Sequence, residues 1–369
     1  MQRLKNPRFH LYSPFLLALL GLSTLLFALV ACGGNPVNVG CTGVMPPIPS
    51  LRAVNGVAYF GDSNSVYALR VSDGTHLWHS TVDANTSLTV VDNGIIYIGS
   101  ASSLYALRAS DGTQLWHFQG NGDPDSRFGP QPVVADGAVY VSSRVSTYAV
   151  RASDGKQLWH SQVGGLDTPL ALPLVVGNGE VYVGTNDAVV ALRASDGTQL
   201  WSYQGLTSVS TDGDGRVYVN SPNSLYALRA KDGTTIWHFQ ANITTTSRFG
   251  ARPLLADGVV YVNAGSVTYA LRAKDGTQLW KTQMAIPDAI LLGAEHGTIY
   301  ISSYGAVAAL QASNGALLWN RSVANGEPRA VADGTILSSE AFGGCSGPTG
   351  AKIFATRVSD GKALWNFQI

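Results

Sequence analysis

The 369-residue chain is poor in charge, in glutamate and in sulfur. Only 13% of its residues are charged, with 24 Lys and Arg against 24 Asp and Glu. No basic cluster stands out, which excludes the footprint of a nucleic-acid-binding surface. Glu occurs only at Glu180, Glu295, Glu327 and Glu340. The seven His include no pair at H-E-x-x-H spacing, and no Gly-rich loop follows a strand and opens a helix. The signatures of a zinc hydrolase and of a phosphate cradle are therefore missing. There are three Cys, and no two are adjacent. Beyond residue 31 no run is long enough, with a 3.6-residue apolar period, to predict a helix. Hydrophobic residues make up 45% of the chain, which is ample material for a large core.

The N-terminus reads as a targeting segment. Residues 1–14 hold Arg3, Lys5, Arg8 and His10 and no acid, and an apolar run over 15–31 ends at Cys32. This is the layout of a secretory signal. The stretch Leu29-Val30-Ala31-Cys32-Gly33 resembles the bacterial lipobox, which implies that Cys32 is acylated and becomes the mature N-terminus. The other reading is an uncleaved anchor, because the apolar run reaches the lower limit of a membrane span, about 17 residues. Both readings put the rest of the chain outside the cytoplasm, and both attach it to the membrane. Residues 32–49, with Pro36, Pro46, Pro47 and Pro49, are expected to be a flexible linker. Residues 50–369 form the folded part. Without residues 1–31 the chain has 21 basic against 24 acidic residues, so charge does not argue for attraction to anionic lipid.

All eight Trp fall in one motif, at Trp78, Trp116, Trp159, Trp201, Trp237, Trp280, Trp319 and Trp365, at intervals of roughly 40 residues. Each unit holds four short apolar or alternating runs, A to D. Between A and B stands Asn-Gly or Asp-Gly, as at Asn55-Gly56 and Asp136-Gly137, with His296-Gly297 as a variant. Between C and D stands Asp-Gly, as at Asp73-Gly74 and Asp154-Gly155, with Asn314-Gly315 as a variant. Such dipeptides suit tight hairpins in which both central residues take positive φ. Eleven of the 24 acidic residues are thereby turn Asp and are not counted as catalytic. Strand B carries a core aromatic in seven units, from Tyr59 to Tyr300, and Ile336 in the eighth. Four antiparallel strands repeated eight times predict an all-β, eight-bladed β-propeller, with strand A lining the central channel. The first unit starts with strand A and the eighth ends with strand D, so closure is expected to lack an exchanged strand. An oxidising compartment permits disulfides. Cys41 precedes the first blade and Cys345 lies in the last, and these blades are neighbours in a closed ring. A Cys41–Cys345 bridge is therefore expected to staple the closure; the alternative is two free thiols.

The stretch from strand C to the Trp resembles the tryptophan-docking motif of the pyrroloquinoline-quinone (PQQ) propeller family. Ala106, Gly112 and Trp116 keep its spacing, as do Ala149, Gly155 and Trp159, and the other six units follow. The resemblance implies that each Trp wedges between adjacent blades. It further implies similarity to the lipid-anchored, non-enzymatic members of that family that serve outer-membrane-protein assembly. Two positions depart from the motif. Its Asp is Arg here (Arg70, Arg108, Arg151, Arg193, Arg229, Arg272, Arg357), with Gln311 as the exception, and its Thr is Asp or Asn. Either each Arg pairs with the turn Asp of its own or the next blade, or the Arg form a ring for an anionic polymer.

Quinone-dependent dehydrogenases of this fold use adjacent cysteines, an Asp base and Glu, Asn and Asp ligands to calcium. None of these transfers to a residue here, so no catalytic, cofactor-binding or metal-binding residue is assigned. PQQ enters only through the family resemblance. Asp212-Gly213-Asp214-Gly215 starts like a calcium loop but lacks the remaining ligands and coincides with an A–B turn. Four His follow a Trp directly (His79, His117, His160, His238) and read as repeat elements of the rim. One feature exceeds the repeat. Ser126-Arg127-Phe128-Gly129 and Ser247-Arg248-Phe249-Gly250 lie in D-to-A connections three blades apart. Arg beside Phe suits a clamp for an acidic or aromatic group; a three-blade duplication leaves the same trace. The expected function is a monomeric, exported scaffold that binds protein or peptide partners. Quinoprotein oxidoreductase, or a ligand or glycan sensor at the channel mouth, are the alternatives.

Overall fold

In a computed structural model of the protein, the described residues lie within 51–368. They leave out 63, 83–88, 101–102, 121–127, 129–131, 144, 164–173, 186–187, 205–207, 212–213, 222–223, 242–251, 285–288, 304–305, 323–325 and 345–346. Cys32, Cys41, Arg127, Arg248, Phe249 and Cys345 fall outside them. The described residues form eight four-stranded antiparallel sheets, each of four consecutive strands in the order A-B-C-D. Blade one comprises Leu51–Val54, Val57–Asp62, Ser65–Arg70 and His76–Thr81, and blade eight comprises Glu327–Ala332, Thr335–Gly344, Gly347–Arg357 and Ala363–Gln368. No strand is exchanged between them. Strand A of blade one approaches strand A of blades two and eight, so the ring closes with the A strands innermost. The order then puts the A–B and C–D turns on one face of the ring and the B–C hairpins and D–A connections on the other.

The A–B turns follow their sequence. Asn55 (φ 51) and Gly56 (φ 74) both take the left-handed conformation, and six further blades repeat this. Such a turn matches the twist of its flanking strands. Blade five differs, with positive φ at Gly215 alone. The C–D turns depart from the two-residue expectation in every blade. Only their Gly is left-handed, and the link spans four residues. In blade one, Arg70 N donates to Thr75 O (2.9 Å) and Gly74 N to Arg70 O (2.8 Å). The physical reason is the side-chain oxygen of the Asp, or of Asn314 in blade seven, which accepts from the backbone N–H two residues on. Asp73 accepts from the Thr75 backbone N–H (2.9 Å) and from the Arg70 guanidinium (3.0 Å), which stabilises the wider loop. Val71 N donates to Gly56 O (2.9 Å) and ties the two turns together.

Strand D is bulged in each blade at the residue before the Trp. In blade three Ala149 pairs with Trp159 and Val150 with Gln157, leaving Leu158 as the extra residue, 44% exposed. A bulge twists the outer edge and blunts it against further strand pairing.

The core lies between blades, as one apolar cluster per seam. The seam of blades one and two holds Tyr59, Val66, Trp78, Ile96, Ile98 and Leu107, all buried. Across it the Trp78 indole N–H donates to Ala109 O (2.9 Å). The ring also lies against Gly112, where a Cβ would come within 2.5 Å of it. The Gly is therefore required twice, by its positive φ and by the indole. The same bond links Trp116 to Ala152, Trp159 to Ala194, Trp201 to Ala230, Trp237 to Ala273 and Trp280 to Ala312. Closure uses it too: Trp365 of blade eight donates to Val71 O of blade one (2.6 Å) and packs on Gly74. A tryptophan lock thus joins the ends of the fold.

The seam of blades seven and eight is the exception. Its fully buried core is Val307 and Ile336. Arg321 lies over the Trp319 ring (5.3 Å), and a Cβ at Gly361 would meet Arg321 Cδ at 3.0 Å instead of an indole. Arg321 donates to Ser359 O (3.0 Å), while its buried Nη1 has no partner.

Candidate functional site

The two faces of the ring differ in kind. On the turn face, each of seven C–D turns carries one Arg–Asp ion pair within its own blade, from Arg70–Asp73 (3.0 Å) to Arg357–Asp360 (2.9 Å). This settles the two sequence readings of the Arg: each is matched by a turn carboxylate three residues on. The hydrogen bonds from Thr75 and the Arg70 charge hold the Asp73 carboxyl well below its usual range, at about 2. Asp111, Asp232 and Asp275 are lowered to about 2 by the same partners in their own turns. These carboxylates are engaged and solvent-exposed. Blade seven replaces the pair with the neutral Gln311 and Asn314.

The opposite face carries what differs from blade to blade. Strands B and C of blade eight run ten and eleven residues, against five and six in blade two. Pairing continues from Glu340↔Lys352 to Gly344↔Gly347, so this hairpin projects about 15 Å beyond its neighbours at the usual strand rise. Residues 345–346 connect its strands.

Arginines gather at the channel mouth on this face. Arg52 is exposed on the inner strand of blade one. Arg252 precedes the inner strand of blade six (Leu254–Ala256), next to Pro253, whose carbonyl accepts from Ser210 Oγ (3.0 Å). Arg252 is itself exposed, and partial desolvation first, with the Arg52 charge second, holds its guanidinium below its usual value. Arg329 of blade eight pairs with Glu327. Sequence reasoning missed Arg52 and Arg252, because neither belongs to the repeat.

Of the four residues singled out for contact, Phe128 is described, and it points inward. It is buried at the seam of blades two and three, edge-on to Tyr148 (5.5 Å, 87°) and tilted on Phe118 (6.2 Å). A Cβ on Gly120 would lie 3.0 Å from its ring. The expectation that Phe128 meets a ligand is corrected to a packing role: the ring is large and apolar, and the seam offers it a pocket.

The residues present do not fit a quinone site of the dehydrogenase pattern. The cysteines are not adjacent in sequence, and among the described residues no group of three or more His, Cys, Asp or Glu is placed to hold a cation. Glu180 and Glu295, both raised by burial, sit beside A–B turns, where Tyr182 donates to Glu180.

Comparison with known proteins gives a consistent picture. The family described as Outer membrane protein assembly factor BamB matches residues 49–168 and 142–367. Among solved structures the chain is similar to the computationally designed protein Ika8 (TM-score 0.68, 13% identity, 80% of this chain and 94% of that one). It is similar to BamB from Moraxella catarrhalis (TM-score 0.60, 14% identity, 86% and 95%). It is also similar to quinohemoprotein alcohol dehydrogenase from Comamonas testosteroni (TM-score 0.60, 14% identity, 80% and 70%). At these identities the likeness is one of fold. No curated protein sequence matches the chain.

Proposed function

Since the chain belongs to the Outer membrane protein assembly factor BamB family, we propose that it is a non-catalytic scaffold, exported and anchored through acylated Cys32, that binds protein or peptide partners in the cell envelope. Binding is assigned to the face of the D–A connections and the blade-eight hairpin. The observation that carries this reading is the contrast between the faces. The turn face repeats one self-satisfied Arg–Asp arrangement, while the other face holds the blade-specific elements, and specificity resides in such elements on a rigid frame.

A photo-crosslinker at Glu340 of the long hairpin is expected to yield protein adducts in the native envelope, and one at Lys156 of a C–D turn is not. Adducts from Lys156 alone would overturn the assignment of the face. Reconstitution with PQQ and calcium tests the absence of catalysis, and dye-linked alcohol oxidation would replace the scaffold reading by the oxidoreductase one. Cys32→Ala is expected to abolish incorporation of labelled fatty acid. A Cys41–Cys345 disulfide belongs to the same proposal. The hairpin leading to Cys345 projects from the face where blade one begins, and ten residues from Cys41 to Leu51 reach up to about 33 Å. A peptide map unchanged by reduction would remove it.

A further inference from the structure

Strand D of blade one reads His76-Leu77-Trp78-His79-Ser80-Thr81, and it alone among the eight D strands carries two His. The position of His79 is a repeat feature. Its ring stacks on Tyr67 of strand C (5.8 Å, 24°), as His117 does on Tyr105, His160 on Tyr148 and His238 on Tyr226. The position of His76 holds Gln in most other blades.

Residues three apart on a regular strand face opposite sides. Here the bulge at Leu77, between the pairs Leu69↔His76 and Ala68↔Trp78, inserts one residue and returns His76 and His79 to one side. Their ring centroids lie 5.6 Å apart, and both residues are exposed. Each ring is held by an aromatic neighbour, His79 by Tyr67 and His76 by Phe367 of blade eight, to which it is nearly parallel (5.9 Å, 4°). Blade three shows how side chains at these two positions can meet. There the equivalent pair, Gln157 and His160, are in contact through His160 Nδ1 at 3.4 Å. In blade three the ring nitrogen at the fourth position of strand D thus faces the side chain at the first, and in blade one the same two positions hold two imidazoles.

We propose that His76 and His79 form a two-imidazole site for a first-row divalent cation on the rim of blade one, with solvent completing the coordination. Imidazole pairs favour Cu2+ over Ni2+ and Zn2+. The aromatic neighbours fix both rings before the metal arrives, so little side-chain freedom is lost on binding.

The test is calorimetric titration of the full-length protein, purified in detergent, with CuCl2, together with electron paramagnetic resonance of the bound ion. The wild type is expected to take up one tight equivalent with two nitrogen couplings. His76→Gln gives blade one the Gln–His pair that blade three carries, so the fold is kept. It is expected to weaken binding by at least the 10–100-fold typical of losing an outer-sphere partner and to leave one coupling. His79→Gln does the same from the other side, and His160→Gln changes nothing. A wild type that binds no Cu2+, or a His76→Gln variant that binds as tightly as wild type, overturns the site.

Discussion

Two seams of the ring can be set side by side. The seam of blades eight and one joins segments at opposite ends of the fold, and that of blades seven and eight joins neighbours in sequence. The distant pair carries the standard lock: Trp365 donates to Val71 O, packs on Gly74, and closes over a core that includes Leu51, Phe60, Leu69, Leu337 and Ile353. The adjacent pair has Arg321 in the place of the indole and a buried core of two residues. Chain continuity and seam strength are thus decoupled. A covalent link between blades seven and eight makes a weak non-covalent seam tolerable, because the link already limits their separation. The main chain does not run from blade eight to blade one, and there the full lock is kept.

The largest test exchanges the two Trp. Trp365→Ala is expected to destabilise the fold by about 3 kcal/mol, the lower end for a large aromatic cut to Ala. Trp319→Ala is expected to cost clearly less, because no lock is lost. Denaturant midpoints of the two variants decide the matter, and equal losses would remove the distinction. Next come the glycines. Gly74→Ala and Gly361→Ala both place a Cβ at φ 70–72, at about 1–2 kcal/mol. Gly74→Ala in addition drives its Cβ to 2.7 Å from the Trp365 ring, whereas at Gly361 the nearest atom belongs to the flexible Arg321 chain. Overpacking against a fixed ring adds about 1–3 kcal/mol, so the melting temperature of Gly74→Ala should fall further.

What could be read in the sequence is what recurs. The blade count, the strand order and the A–B turns come from features present seven or eight times in register, where the repeat itself averages out local accidents. Single events do not share this. Arg321 reads as one more polar residue of a rim strand, and its approach to Gly361, forty residues on, has no local signal. Phe128 follows an Arg in a connection and suggests a clamp; only the gap above Gly120 shows that the ring turns inward. The C–D turns illustrate a subtler limit, since Asp-Gly there has the same letters as in an A–B turn. The outcome depends on the N–H two residues later, which the side-chain oxygen accepts from Asp73 in blade one to Asn314 in blade seven.

Arg321→Thr sharpens the comparison with a smaller effect. Blade six has Thr282 at that position, bonded to Gly315 O (2.6 Å) beside a docked Trp280. The substitution removes the buried, unpartnered Nη1 and frees the Gly361 surface. Trp319 is then expected to swing onto Val358 O, with a gain of about 1 kcal/mol for the new hydrogen bond. The indole N–H shift and the denaturant midpoint would register it, and an unchanged midpoint would mean that blade eight is held off for another reason.

The smallest effect concerns the turns, where blade seven again stands apart. A carboxylate lowered to about 2 in the fold, as at Asp111, contributes stability that is complete above the unfolded value near 3.9. That contribution disappears as the pH falls through about 2. Asp111→Asn copies Asn314, whose side chain still accepts from the backbone of Ala316 (2.9 Å). The variant should therefore keep its turn at neutral pH and lose the acid-dependent part alone. Its denaturant midpoint is expected to change less than that of wild type between pH 4 and pH 2. Equal pH slopes would mean that the Arg–Asp turns hold the same shape with or without the charge, and that blade seven gives up nothing by being neutral.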